Sequence, residues 1–279
     1  MPTASRVRHL ALAAAAGALL IGFGRPLAGQ GAADAISAHA RQLHDQAIVV
    51  DTHDDTTQRL LFEKGFDIGA RHDNGNIDIP RMKEGGLDAL FFSIWVPSDV
   101  TGPPAVRRAL DLIDAVREAV RTHPNDLMLA TSAADIRRAA AEHKIAALMG
   151  VEGGHMIDDD LRVLRDYAAL GVRYMTLTHF NNNDWADSST DKPAHNGLTD
   201  FGKDVVREMN RLGVIVDISH VSDKTFYDAV AVSQAPVIAS HSSARAIAAA
   251  IGLSLALGAT PIAAQQPPLK MTLFGQPSV

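Results

Sequence analysis

Five side chains with metal-ligand chemistry stand at or just after the ends of short apolar runs. The first run leads into Asp51-Thr52-His53-Asp54-Asp55, another into Glu152-Gly153-Gly154-His155, a third into Asp217-Ile218-Ser219-His220, and a fourth into Ser240-His241. Residues two apart on an extended segment point the same way, so His53 and Asp55 can address one ion together. Each of these signals is weak alone, because a histidine at a strand end is often an ordinary core or rim residue. Glu152 carries more weight: a carboxylate after a buried strand is costly unless something positive meets it.

Imidazole and carboxylate ligands suit zinc, with manganese or cobalt as substitutes. Glu152 is expected to bridge two ions about 3.5–4 Å apart. His53 and Asp55 would complete the shell of one ion, and His220 and His241 that of the other. A water held between two such ions loses its proton near neutral pH and can attack a polarised carbonyl. That chemistry hydrolyses amides without a serine or cysteine nucleophile. His179, in Leu177-Thr178-His179-Phe180, is a candidate hydrogen-bond donor to the oxyanion of a tetrahedral intermediate, or else a rim histidine or further ligand. Trp185, in the polar loop 181–187, is a candidate substrate wall, although an ordinary surface loop would need no such role.

Composition agrees. The chain has 279 residues, a formal charge of -6, 12 histidines and no cysteine. Disulfides, thiolate zinc sites and cysteine nucleophiles are excluded. No basic stripe of the kind that tracks a phosphate backbone is present, so nucleic acid is not an expected partner.

The elements that must position these residues alternate. Apolar runs of strand length cover 47–51, 89–96, 145–151, 172–177, 214–218 and 236–240. Helical stretches cover 104–121, 133–143, 160–170, 200–212 and 223–232. Thr199 and Ser222 stand where N-caps belong, and Gly171 and Gly213 where helices stop. Near-continuous apolar strands separated by helices predict an α/β fold with a parallel sheet. A (β/α)8 barrel of TIM type is the first expectation and a doubly wound sheet the second. In a parallel barrel all the strand ends named above gather at one rim, where active sites are built.

The termini differ in character. Arg6 and Arg8 precede an apolar run from Leu10 to Phe23 followed by small residues, so residues 1–30 read as an export signal. The run is short for a membrane span. The barrel is assigned to 31–247, and the mature protein is expected in the periplasm or outside the cell. From 248 to 279 the single charged residue is Lys270, and there is no acid or histidine. Two further βα units, at roughly 30 residues or more for a crossover, do not fit there. The expected barrel is therefore incomplete, with about six of eight strands. Either the chain is naturally short or its reading frame shifts near Ala248.

The blocks VVDTHDD, GVEGGH, GVRYMTLTH with NNNDWADSS, GVIVDISHVS and PVIASHSSARAI together resemble the membrane (renal) dipeptidase family, peptidase family M19. The resemblance runs from about Ile48 to Ile247. It implies an amidohydrolase-type barrel that cleaves dipeptides, with two zincs held by His53, Asp55, Glu152, His220 and His241. It also implies that His179 contacts substrate, that a homodimer is possible, and that a free dipeptide is bound by its terminal carboxylate. The family continues with an arginine for that carboxylate and an aspartate for the proton of the scissile amide. Arg245 comes too early to be that arginine, and the tail offers no acid. The resemblance thus leaves two readings: a zinc dipeptidase, weak or inactive as written, or an exported zinc-binding protein without catalysis. A lactonase or deaminase fits less well, since the entry motif is His-x-Asp and not His-x-His.

Overall fold

A computed structural model describes residues 36–242. The expected signal segment, Arg245 and the low-charge tail lie outside the described residues. The chain divides into two units, residues 1–46 and 47–279. In the first, helix α1 spans Ala38–Gln46 and buries none of its residues.

The second unit alternates as expected. Its order is β1 (Val50–Asp54), α2 (Thr57–Phe62), α3 (Ile79–Gly85), β2 (Ala89–Trp95), α4 (Pro103–Thr122), β3 (Leu127–Leu129) and α5 (Ala133–Ala141). There follow β4 (Ile145–Glu152), a 3-10 turn (Gly154–Ile157), α6 (Leu161–Leu170), β5 (Val172–Thr176), α7 (Asp200–Leu212), β6 (Ile215–Asp217) and α8 (Asp223–Val232). Among the described residues no helix is long and apolar enough to cross a membrane.

Every strand pairing is parallel, and the path runs β1-β2-β4-β5-β6 in chain order, with β3 beside β4. A doubly wound sheet would reverse direction partway; unbroken order is what a closing barrel requires. The sheet is an incomplete TIM-type barrel. Its curl brings segments distant in sequence together at the rim, where the Thr52 hydroxyl donates to the Ser240 carbonyl at 2.5 Å across 188 positions.

Helix ends follow local chemistry. Thr199 and Ser222 accept hydrogen bonds from the Gly202 and Thr225 amides, capping α7 and α8. Gly171 and Gly213 close α6 and α7 in the left-handed conformation.

Two strand expectations need correction, and one strand is unexpected. The first strand starts three residues later than its apolar run and carries His53 within it. Val49 is spent instead on two carbonyl contacts, accepting from the Asp88 and Ala89 amides. Strand β3 escapes sequence reading because three residues carry no period. The run at 236–240 makes a single bridge, Asp217 to Ile238, and is no strand, although Ile238 exchanges backbone bonds with Val216 and Ile218.

Alternation decides which residues meet. On β2, Leu90, Phe92 and Ile94 join the main core with Leu112 and Val116 of α4. The opposite face carries Phe91 and Ser93. Register pairs Ser93 with Gly150 and Gly150 with Tyr174, then Thr176 with Asp217. With a period of two, Ser93, Gly150, Glu152, Tyr174, Thr176 and Asp217 share that inner face.

Candidate metal centre

Glu152 ends β4 and is only 4% exposed. The Ser93 hydroxyl donates to its Oε2 at 3.1 Å. Around it converge four imidazole Nε2 atoms: His220 at 3.0 Å, His53 and His241 at 3.3 Å, and His179 at 3.5 Å. Among the described residues its ion-pair partners are all imidazoles.

The electrostatics follow. Burial alone would raise Glu152, but hydrogen bonds from His220, His241 and His53 outweigh it and hold the carboxyl well below the usual range. Burial alone would lower His53; its hydrogen bonds to Asp55 and Glu152 win and push it up to about 9. His179 moves down, because burial disfavours its charge more than Glu152 supports it.

The backbone turns His220 inward. It adopts φ of 64°, a left-handed conformation uncommon outside glycine. Its carbonyl accepts from the Ser189 amide at 2.7 Å and the Ser188 hydroxyl at 3.2 Å, which pins the bend. The His241 ring lies against that of His53, tilted by 39° with ring centroids 3.9 Å apart.

Two ligand groups result: His53, Glu152 and His241, and Glu152, His179 and His220. All five expected ligands lie together at the rim, but their partition differs from the expected one. His241 sides with His53, and His179 takes a place beside His220. Asp55 stands at the mouth, 3.5 Å from His53 Nε2, with its side chain 64% exposed. A buried carboxylate ringed by nitrogen donors, with the His179 Nδ1 left without a partner, is a donor set that fits divalent zinc.

Trp185 does not offer a substrate wall. It is 1% exposed, packs against Phe201, and occupies the space that Gly154 leaves open for it. Its loop is built inward: Asn183 donates to the Leu177 carbonyl, and Asp187 accepts from the Ala194, His195 and Gly197 amides. The apolar surface at the rim is Phe180. It is 55% exposed and lies 4.3 Å from the His179 ring and 5.1 Å from that of His220. Sequence reading passed it over because one phenylalanine in a polar loop carries no period.

His155, of the same block as Glu152, is buried with Nε2 unpartnered. Burial, reinforced by His179, lowers it to about 4. The unfolded chain then binds a proton that the folded chain refuses, so stability falls as pH drops from about 6.5 toward 4 and is flat above. At pH 5 this cost is about 2 kcal/mol. Denaturant unfolding of His155→Gln at pH 7 and pH 5 should show that much less acid loss than the wild type.

A family model for membrane dipeptidase, peptidase family M19, matches residues 37–251. Dipeptidase 3 of Mus musculus is 42% identical over 208 residues, 71% of this chain and 41% of the mouse protein. Dipeptidase tcpJ of Claviceps purpurea is 42% identical over 182 residues, 62% of this chain and 43% of its own length. The chain thus spans less than half the length of these curated relatives. Among solved structures, the probable dipeptidase PvdM of Pseudomonas aeruginosa aligns with a TM-score of 0.68 at 32% identity, covering 75% of this chain and 55% of its own. A metallo peptidase of Rhodobacter sphaeroides, liganded with a phosphinate mimic of L-Ala-D-Ala, aligns at 0.66 and 28%, covering 72% and 66%.

Proposed function

The chain belongs to the membrane dipeptidase family, peptidase family M19, and from that premise we propose that it is a zinc-dependent dipeptidase acting outside the cytoplasm. The observation that carries this reading is the convergence of four imidazoles on one buried carboxylate. Two zinc ions would be held at the rim by Glu152, His53, His241, His220 and Asp55. Bound zinc supplies Lewis acidity, which lowers the pKa of water and polarises a carbonyl.

The protein's own residues do the rest. Burial disfavours the charged form of His179, and as a neutral imidazole at the rim it can donate to negative charge developing on a substrate oxygen. Phe180 offers an apolar face to a substrate side chain beside that donor. Ser93 and the surrounding strands hold the Glu152 carboxylate in place without neutralising it. The relative bound to a mimic of L-Ala-D-Ala supports a dipeptide as the substrate class. The basic and apolar pattern before residue 30 supports export.

The test is made on the purified full chain. Metal analysis is expected to find two zincs per chain, and Gly-D-Ala is expected to be split, with chelation abolishing turnover and zinc restoring it. Zinc bound without turnover would favour the non-catalytic metal-binding reading. Absence of bound zinc would overturn both.

A further inference from the structure

Behind the ligands lies a second set of polar side chains that the metal chemistry does not itself use. Asp217 is completely buried, yet no cation faces it among the described residues. Its Oδ1 accepts from the Ser219 amide (3.0 Å), the Ser219 hydroxyl (2.8 Å) and the Ser240 amide (3.0 Å). Its Oδ2 accepts from the hydroxyls of Thr176 and Ser240, both at 2.6 Å. Five donors on one buried carboxylate satisfy it without a salt bridge.

Hydroxyl arithmetic then gives each bond a direction. A serine hydroxyl has one proton, and Ser240 commits it to Asp217. Ser240 Oγ lies 3.0 Å from His241 Nδ1, so at that contact it can only accept. In its neutral form His241 therefore carries its proton on Nδ1, leaving Nε2 free for a metal. The Tyr174 hydroxyl makes its hydrogen bond to His53 Nδ1, 2.9 Å away. That contact fixes the ring with Nε2 facing Glu152 and Asp55.

We propose that Asp217 and Ser240 form a directed hydrogen-bond relay that fixes neutral His241 in the Nδ1–H tautomer, that Tyr174 braces the His53 ring at its Nδ1, and that both Nε2 atoms are thereby aimed at the metal. These are positioning residues: none reaches the ions. The relay rests on the zinc reading for its purpose, but its bond directions do not.

Two measurements separate them. In the metal-free wild type at alkaline pH, nitrogen NMR of the His241 ring is expected to show Nδ1 protonated. Protonation at Nε2 alone would overturn the relay and leave the metal site standing. In the second, zinc affinity is measured by competition with a chelating indicator. Tyr174→Phe removes one hydroxyl without changing the packing, and should weaken zinc binding about 10- to 100-fold. Tyr167→Phe is the control: that phenol is also buried, but donates to the Met156 carbonyl away from the site. It should leave zinc affinity unchanged. Ser240→Ala should weaken binding as well. Wild-type affinity in Ser240→Ala overturns the relay, and wild-type affinity in Tyr174→Phe, or an equal loss in Tyr167→Phe, overturns the bracing role of Tyr174. A wild type that binds no zinc overturns the proposed function, and the nitrogen NMR then decides the relay by itself.

Discussion

Glu152→Gln is expected to abolish zinc-dependent turnover while leaving a folded protein. The carboxylate is the one anion that four imidazoles share, and under the two-zinc proposal a neutral amide of the same shape could not take its place between two cations. Metal-ion catalysis of this kind contributes several kcal/mol to transition-state stabilisation, so kcat/KM should fall by about a thousandfold or more. Bound zinc should fall with it, read by metal analysis after dialysis. Ser93 can still donate to a glutamine oxygen, so circular dichroism should match the wild type. Activity that survives the change would remove Glu152 from the centre of the site.

Gly150→Ala should cost more stability than any surface change. A Cβ there would stand 1.9–2.3 Å from carbons of the Tyr174 ring, well inside contact distance. Strand β4 cannot retreat, since Gly150 is paired with Ser93 on one side and Tyr174 on the other. Overpacking of a tight core costs 1–3 kcal/mol and occasionally more, and here about 3 kcal/mol or more is expected in denaturant unfolding. Gly85→Ala is the matched control: nothing lies within 4 Å of its added Cβ at the end of α3. That change should be neutral or stabilising by up to about 1 kcal/mol. Equal behaviour of the two variants would mean that Tyr174 has room to move, which its zero exposure denies.

Much of the site was legible because its chemistry sits where parallel strands end. Glu152, His220 and His241 follow apolar runs, and the barrel expectation alone brings them together. Caps such as Thr199 and Ser222 were legible for a local reason, a side-chain oxygen three residues before an amide it can reach. What stayed hidden depends on facing, not on type. Tyr174 sits in mid-strand, where an aromatic looks like core, and only the register against Gly150 shows its hydroxyl reaching His53. Trp185 misled in the other direction: a large ring in a polar loop suggests surface, but two glycines open a slot that buries it. The start of β1 was misplaced because Ile48 and Val49 are apolar enough to extend the run while their backbone serves the Asp88 turn.

The hydrogen bond from Thr52 to Ser240 closes a loop of 188 residues, and this bears on how the protein matures. Contacts so distant in sequence form late and slow the folding of a domain. Chains emerge from synthesis N-terminus first, so His53 and Glu152 exist for a long interval before His220 and His241 can join them. On the zinc reading the ligand set is complete only when the fold is, so the rate of metal loading should track the completion of the fold.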